Sequence, residues 1–226
     1  MLNKDSLAVT LDAINESHFS GKPVKNSESE KLSTWIASRQ GLKGAYAGMF
    51  APTERDYRDG IRLFTGERIT SGAATGHILG EEACRALILL KPEDKNIKES
   101  LKQATSGISK VLKNHELQGY TPGMFCCGTC TTAFWRHLSV GGLFDQERLL
   151  RAGMVFLKSH RENNGRWKRF PFWHTSLVLS EMDTSIAKPE LEYIAPAIEK
   201  SVKYLRKDNP YTPRRIKIAE TLLGKI

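Results

Sequence analysis

A stretch of the chain recurs at an interval of 45 residues, and this constrains the fold more than any other feature. Val111-Leu-Lys-Asn-His115 aligns with Phe156-Leu-Lys-Ser-His160. Each is followed by a turn with glycine and an aromatic, Gly119-Tyr120 and then Gly165-Arg-Trp167. Each turn leads into a second apolar-patterned segment, Cys130–Leu138 and then His174–Met182. A third copy runs through Val202–Arg206, Asn209-Pro-Tyr211 and Arg214–Leu223. A degenerate first copy runs through Trp35–Arg39, Gly44-Ala-Tyr46 and His77–Leu90.

The apolar spacing inside these segments is helical. Leu7, Leu11 and Ile14 form the stripe of an initial helix, Ser29–Arg39 begins a second, and 78–90 and 96–115 carry more. Sustained strand-like alternation is lacking. The expectation is an all-α fold: one domain over 1–226, built as a curved stack of about four helical hairpins. One hairpin cannot bury its own apolar face, so neighbours stack. The second helix of each pair carries small residues suited to close approach, such as Ala83, Cys84 and Ala86, or Thr131, Thr132 and Ala133. Residues 41–76, rich in glycine and proline, break the pattern and are expected to be an irregular insertion, either a lid or binding loop or a disordered segment.

The repeat resembles that of the α/α toroid proteins, meaning protein prenyltransferase β subunits and the squalene and terpene cyclases. The likeness is sharpest at Gly128-Thr-Cys130-Thr-Thr-Ala-Phe-Trp135 and, one repeat later, at Phe172-Trp173-His174-Thr175-Ser176-Leu177. The resemblance puts Cys130 and His174 on two of the family's zinc-ligand positions, with Gly128 where the family has its aspartate. It sets His77 near a position that helps bind prenyl diphosphate. Pro122 and Phe125 stand where the family has cationic residues, and the cyclases' Asp-rich motif is absent. The resemblance implies zinc and an isoprenoid-like or thiol substrate. The family barrel has about six hairpins, so four imply an incomplete barrel that a second copy or a partner subunit closes.

The residues point to a Cys/His site on their own chemistry as well. Cys127-x-x-Cys130 has the spacing of two metal ligands on a turn entering a helix, Cys126 adjoins it, and His174 supplies an imidazole from the next repeat. Three roles stand side by side: metal ligation by Cys126, Cys127, Cys130 and His174; small cysteines filling tight helix contacts; and thiol chemistry. In the last, Cys130 in a first helical turn is the nucleophile, His174 its base, and Glu81, Glu82 or Glu181 the orienting group. The segment Asn164–His174 leads into the same helix. Arg166, Lys168, Arg169 and Arg214 are candidate contacts for an anionic group, and Trp167 and Trp173 for an apolar ligand. With His77, these are the candidate substrate-binding residues. Packing of the aromatics and solvation of the cations is the competing reading.

The net charge of +9 lies wholly in residues 101–226, with 20 basic and 11 acidic side chains against 14 and 14 before them. A basic half attracts anions, but no nucleic-acid-binding signature accompanies it. The longest apolar run, Ala86–Leu90, is too short to span a bilayer. Met1–Ser6 has no apolar signal core, which suggests a cytoplasmic protein. The expected function is a zinc- or thiol-dependent, prenyltransferase-like enzyme acting on a hydrophobic, anionic or thiol small molecule. The alternative is a non-catalytic helical-repeat module that binds a partner protein.

Overall fold

The computed structural model describes residues 1–22 and 24–226. Ten α-helices dominate the described residues, in line with the all-α expectation. In chain order they are α1 (Leu7–Phe19), α2 (Asn26–Ala37), α3 (Glu54–Asp59), α4 (Gly72–Leu90), α5 (Lys95–Leu117), α6 (Gly128–Leu138), α7 (Gln146–Lys158), α8 (Phe172–Glu181), α9 (Thr184–Val202) and α10 (Thr212–Leu223). Contacts divide the chain into two compact units: 1–62, 68–120 and 140–144 in the first, 63–67, 121–139 and 145–226 in the second.

In the first unit α4 packs against α1, α2 and α5. Thirteen successive residues, Thr75–Leu87, are buried on every face of α4, as expected for a helix surrounded by others. The region 41–76 is more ordered than the sequence implies. It holds a short 3-10 turn (Tyr46–Gly48), α3, and an antiparallel pair of two-residue strands, β1 (Ile61–Arg62) and β2 (Arg68–Ile69). It also holds the first turn of α4, whose start the glycines Gly72 and Gly76 obscure in sequence because glycine is a poor helix former. Two capping devices fix this region. Ser71 caps α4 by accepting from the Ala74 N–H. Thr53 and Asp56 form a reciprocal capping box on α3. The buried Asp56 carboxylate also accepts from Ser6 Oγ (2.6 Å) and the Leu7 N–H (3.0 Å), so one side chain caps α3 and α1. Gly107 of α5 is required by close approach, since a Cβ there would stand 1.9 Å from the Ala47 carbonyl oxygen.

In the second unit α6 packs on α7 and α8, α8 on α9 and α10, and α7 on α9. The helices pair in hairpin order; α6 and α8 are buried on nearly every face, whereas α7, α9 and α10 bury only a stripe. From Cys130 to Leu138 every residue of α6 is buried, and so is Phe172–Ser180 of α8. The helix α7 buries only the stripe Leu149, Leu150, Gly153, Met154 and Leu157. Trp135 is fully buried, donates its indole N–H to the Gly123 carbonyl (2.7 Å), and stacks on Phe170 at 5.6 Å.

Candidate metal and thiol site

The candidate site grows from the start of α6. Cys127 is the N-cap of that helix, Gly128 its first residue and Cys130 its third. Cys126 and Cys127 are exposed, whereas Cys130 is buried. The chain enters the helix rigidly because the Phe125 N–H donates to Thr131 Oγ1 (3.1 Å). The three thiols contact one another, and the contact sorts their acidities. Cys130 donates to Cys127, and the backbone N–H groups of Cys130 and Thr129 add to that field, so Cys127 is lowered to about 5 against the opposing effect of partial burial. The side chain of Cys127 makes no regular capping hydrogen bond, so the backbone effect is one of dipole direction. Cys130 is pushed up, first by donating to Cys127 and then by burial. Burial and the neighbouring Cys127 also raise Cys126. The thiolate thus forms at Cys127, not at Cys130 as the sequence suggested. The largest cause is the hydrogen bond from the Cys130 sulfur, and the backbone N–H groups at the helix start add to it.

His77 lies on α4, is 9% exposed, and packs its ring against Tyr46 at a centroid distance of 3.9 Å. Burial lowers its pKa and favours the neutral imidazole. His77 belongs to the first unit, and Cys126, Cys127, Cys130 and His174 belong to the second.

His174 is held in other company. Its Nδ1 shares a 2.9 Å hydrogen bond with Thr132 Oγ1, one turn from the start of α8. Its backbone N–H donates to Glu67 Oε1 (3.1 Å), which caps the helix. Gly128, the position where the toroid family carries a zinc-binding aspartate, has no room for a side chain. A Cβ there would stand 2.2 Å from the Arg169 carbonyl oxygen and 2.9 Å from its carbon. Arg169 holds that carbonyl in place with a left-handed φ of 68°.

The basic and aromatic segment before α8 mostly builds the second unit. Trp167 is buried and donates its indole N–H to Glu190 Oε2 (2.8 Å), and Glu190 also pairs with Arg161 (2.7 Å). Trp173 is buried edge-on to Phe172. Arg214 donates to the Phe64 carbonyl (2.9 Å) and lies 4.0 Å from the Phe64 ring centroid, while Arg215 donates to the Thr65 carbonyl (2.8 Å). The two arginines hold the turn between β1 and β2, so their contacts are to backbone carbonyls. Arg166, 4.1 Å above the Phe172 ring, Lys168 and Arg169 are exposed. Glu181, a candidate orienting group, instead forms a bidentate pair with the fully buried Arg136 at 2.7 and 2.8 Å. Sequence reasoning missed the capping role of Glu67 and the buried role of Glu190.

A groove of about 390 Å³ on α9 and α10 is lined by Val202, Ile216, Ala219 and Leu223, with Glu199, Lys203 and Glu220 at its edge. No helix of the described residues is long and apolar enough to cross a membrane. Comparison of the chain with protein families, curated proteins and solved structures finds no match.

Proposed function

We propose that the protein is a zinc- or thiol-dependent enzyme acting on a thiol or hydrophobic, isoprenoid-like substrate through the cysteines at the start of α6. The observation that carries this reading is the cluster of Cys126, Cys127 and Cys130 there, in which Cys127 is exposed and lowered to about 5. A thiolate at an exposed helix start is both a nucleophile and a metal ligand. Cys127 and Cys130 have the spacing of two zinc ligands on a turn entering a helix, and Cys126 would add a third sulfur. Three protein ligands leave a fourth position for water or a substrate thiol, and zinc there would supply a Lewis acid that keeps a coordinated thiol ionised. The isoprenoid-like substrate follows from the toroid resemblance of Gly128–Trp135 and Phe172–Leu177.

The test is metal content of tag-free protein purified under reducing conditions. One zinc per chain is expected, lost in Cys127→Ser and in Cys130→Ser. Wild-type protein without zinc refutes the metal. Zinc-loaded protein that fails to join a thiol peptide to a prenyl diphosphate refutes the substrate class alone. The apolar groove on α9 and α10 favours a second reading, a helical-repeat module that binds a partner protein. On that reading the cysteine and histidine variants leave partner binding unchanged.

A further inference from the structure

Cys127 and Cys130 touch at the start of α6, the first exposed and the second buried. We propose that Cys127 and Cys130 form a reversible dithiol–disulfide couple that a disulfide substrate oxidises, withdrawing both sulfurs from zinc. The loss of zinc rests on the proposed metal site; the couple itself does not.

Position and access single out this pair among the three thiols. Cys127 is exposed and Cys130 buried, so an incoming disulfide meets Cys127 first and Cys130 is kept for the second step. Residues three apart on a helix bring their Cβ atoms to about 5–6 Å, and the first of these lies on the freer N-cap, so little movement reaches disulfide geometry. The neighbours Cys126 and Cys127 are poorly placed to bridge. Adjacent Cα atoms are about 3.8 Å apart, below the roughly 4.4–6.8 Å that disulfides span.

The chemistry balances as ordinary thiol–disulfide exchange. The Cys127 sulfur attacks one sulfur of a small-molecule disulfide, forming a mixed disulfide and releasing one thiolate. The Cys130 sulfur then attacks Cys127 Sγ, forming the intramolecular bond and releasing the second thiolate. The protein dithiol loses two electrons, the substrate disulfide gains them, and the two thiol protons end on the released thiols. Neither sulfur of the disulfide is a thiolate, so of the three cysteines only Cys126 could still ligate zinc.

The experiment equilibrates full-length protein, reduced and loaded with zinc, in buffers of stepped reduced-to-oxidised glutathione ratio. Intact mass, peptide mapping of the disulfide and colorimetric zinc release are read together. The expected result is loss of two hydrogens, a mapped Cys127–Cys130 bond, and release of one zinc in step with it. Cys127→Ser should form no intramolecular disulfide across the same series. A disulfide that maps elsewhere, or no disulfide at any ratio, overturns the proposal. Reduced wild-type protein that binds no zinc refutes the metal reading and the release with it. In that case mass mapping alone decides the couple: a Cys127–Cys130 bond upholds it and its absence overturns it.

Discussion

Gly128 stands where the toroid resemblance puts a zinc-binding aspartate. Restoring the toroid family's aspartate by Gly128→Asp would complete an Asp/Cys/His triad if that position were open. The Cβ of any residue there falls 2.2 Å from the Arg169 carbonyl oxygen, and that neighbour is backbone. Ordinary contact begins near 3.4 Å, so the carbonyl or the start of α6 must move by more than 1 Å. Overpacking of this kind costs about 1–3 kcal/mol, and immobile backbone places it toward the upper end. Against this, replacing glycine in a helix gains up to about 1 kcal/mol in the interior and less at the first position. Gly128→Ala should therefore lose about 1–2 kcal/mol, and Gly128→Asp at least as much because its carboxylate must also be accommodated. At roughly 2–4 °C per kcal/mol for a chain of this size, the melting temperature falls by about 2–8 °C. Urea denaturation monitored by circular dichroism, with zinc stoichiometry on the same samples, measures both quantities. Neutral or stabilising Gly128→Ala, or Gly128→Asp with raised zinc affinity lost on His174→Ala, would refute the steric reasoning.

Three further outcomes follow from particular contacts. Alkylation of metal-free protein at Cys127 should show a midpoint near pH 5, moved toward the usual thiol range by Cys130→Ser, as peptide mass mapping across pH will read. The folded thiol at about 5 lies below its unfolded value, so its stabilisation is full above the ordinary thiol pKa near 9 and is lost as pH falls to about 5; Cys127→Ser should flatten that part of the stability profile. Glu190→Ala strands Arg161 and the buried Trp167 indole N–H, and should cost about 3–5 kcal/mol in denaturant unfolding, whereas Glu190→Gln should cost less by keeping the indole bond. Thr132→Val removes the partner of His174 Nδ1 and should cost about 1–3 kcal/mol with zinc content unchanged.

How far the sequence discloses this structure depends on the range of the interaction that decides each feature. The amphipathic stripe of α7 and the 45-residue recurrence are local, and both are legible in the order of apolar residues. The all-buried helix α8 is legible only through the recurrence, because a helix without a polar face has little moment to read. The Cys126-Cys-Gly-Thr-Cys130 cluster is visible as spacing, but the difference between Cys127 and Cys130 turns on a helix boundary of one or two residues, the least readable feature of a sequence. Putting Cys127 at the N-cap moves the thiolate to it. The blocked Gly128 position depends on Arg169, 41 residues away and in a left-handed conformation that its residue type does not announce. The region 41–76 reads as irregular because its order comes from buried caps such as Asp56, whose partners Ser6 and Leu7 lie about 50 residues earlier.

The most direct measurement on the zinc site is X-ray absorption at the zinc edge of the reduced, loaded protein, repeated on Cys127→Ser and Cys130→Ser. Three sulfur neighbours at about 2.3 Å and one nitrogen or oxygen neighbour at about 2.0–2.1 Å are expected, with sulfur lost in either variant. A sulfur shell unchanged in both variants, or a zinc without sulfur neighbours, would contradict the assignment of Cys126, Cys127 and Cys130.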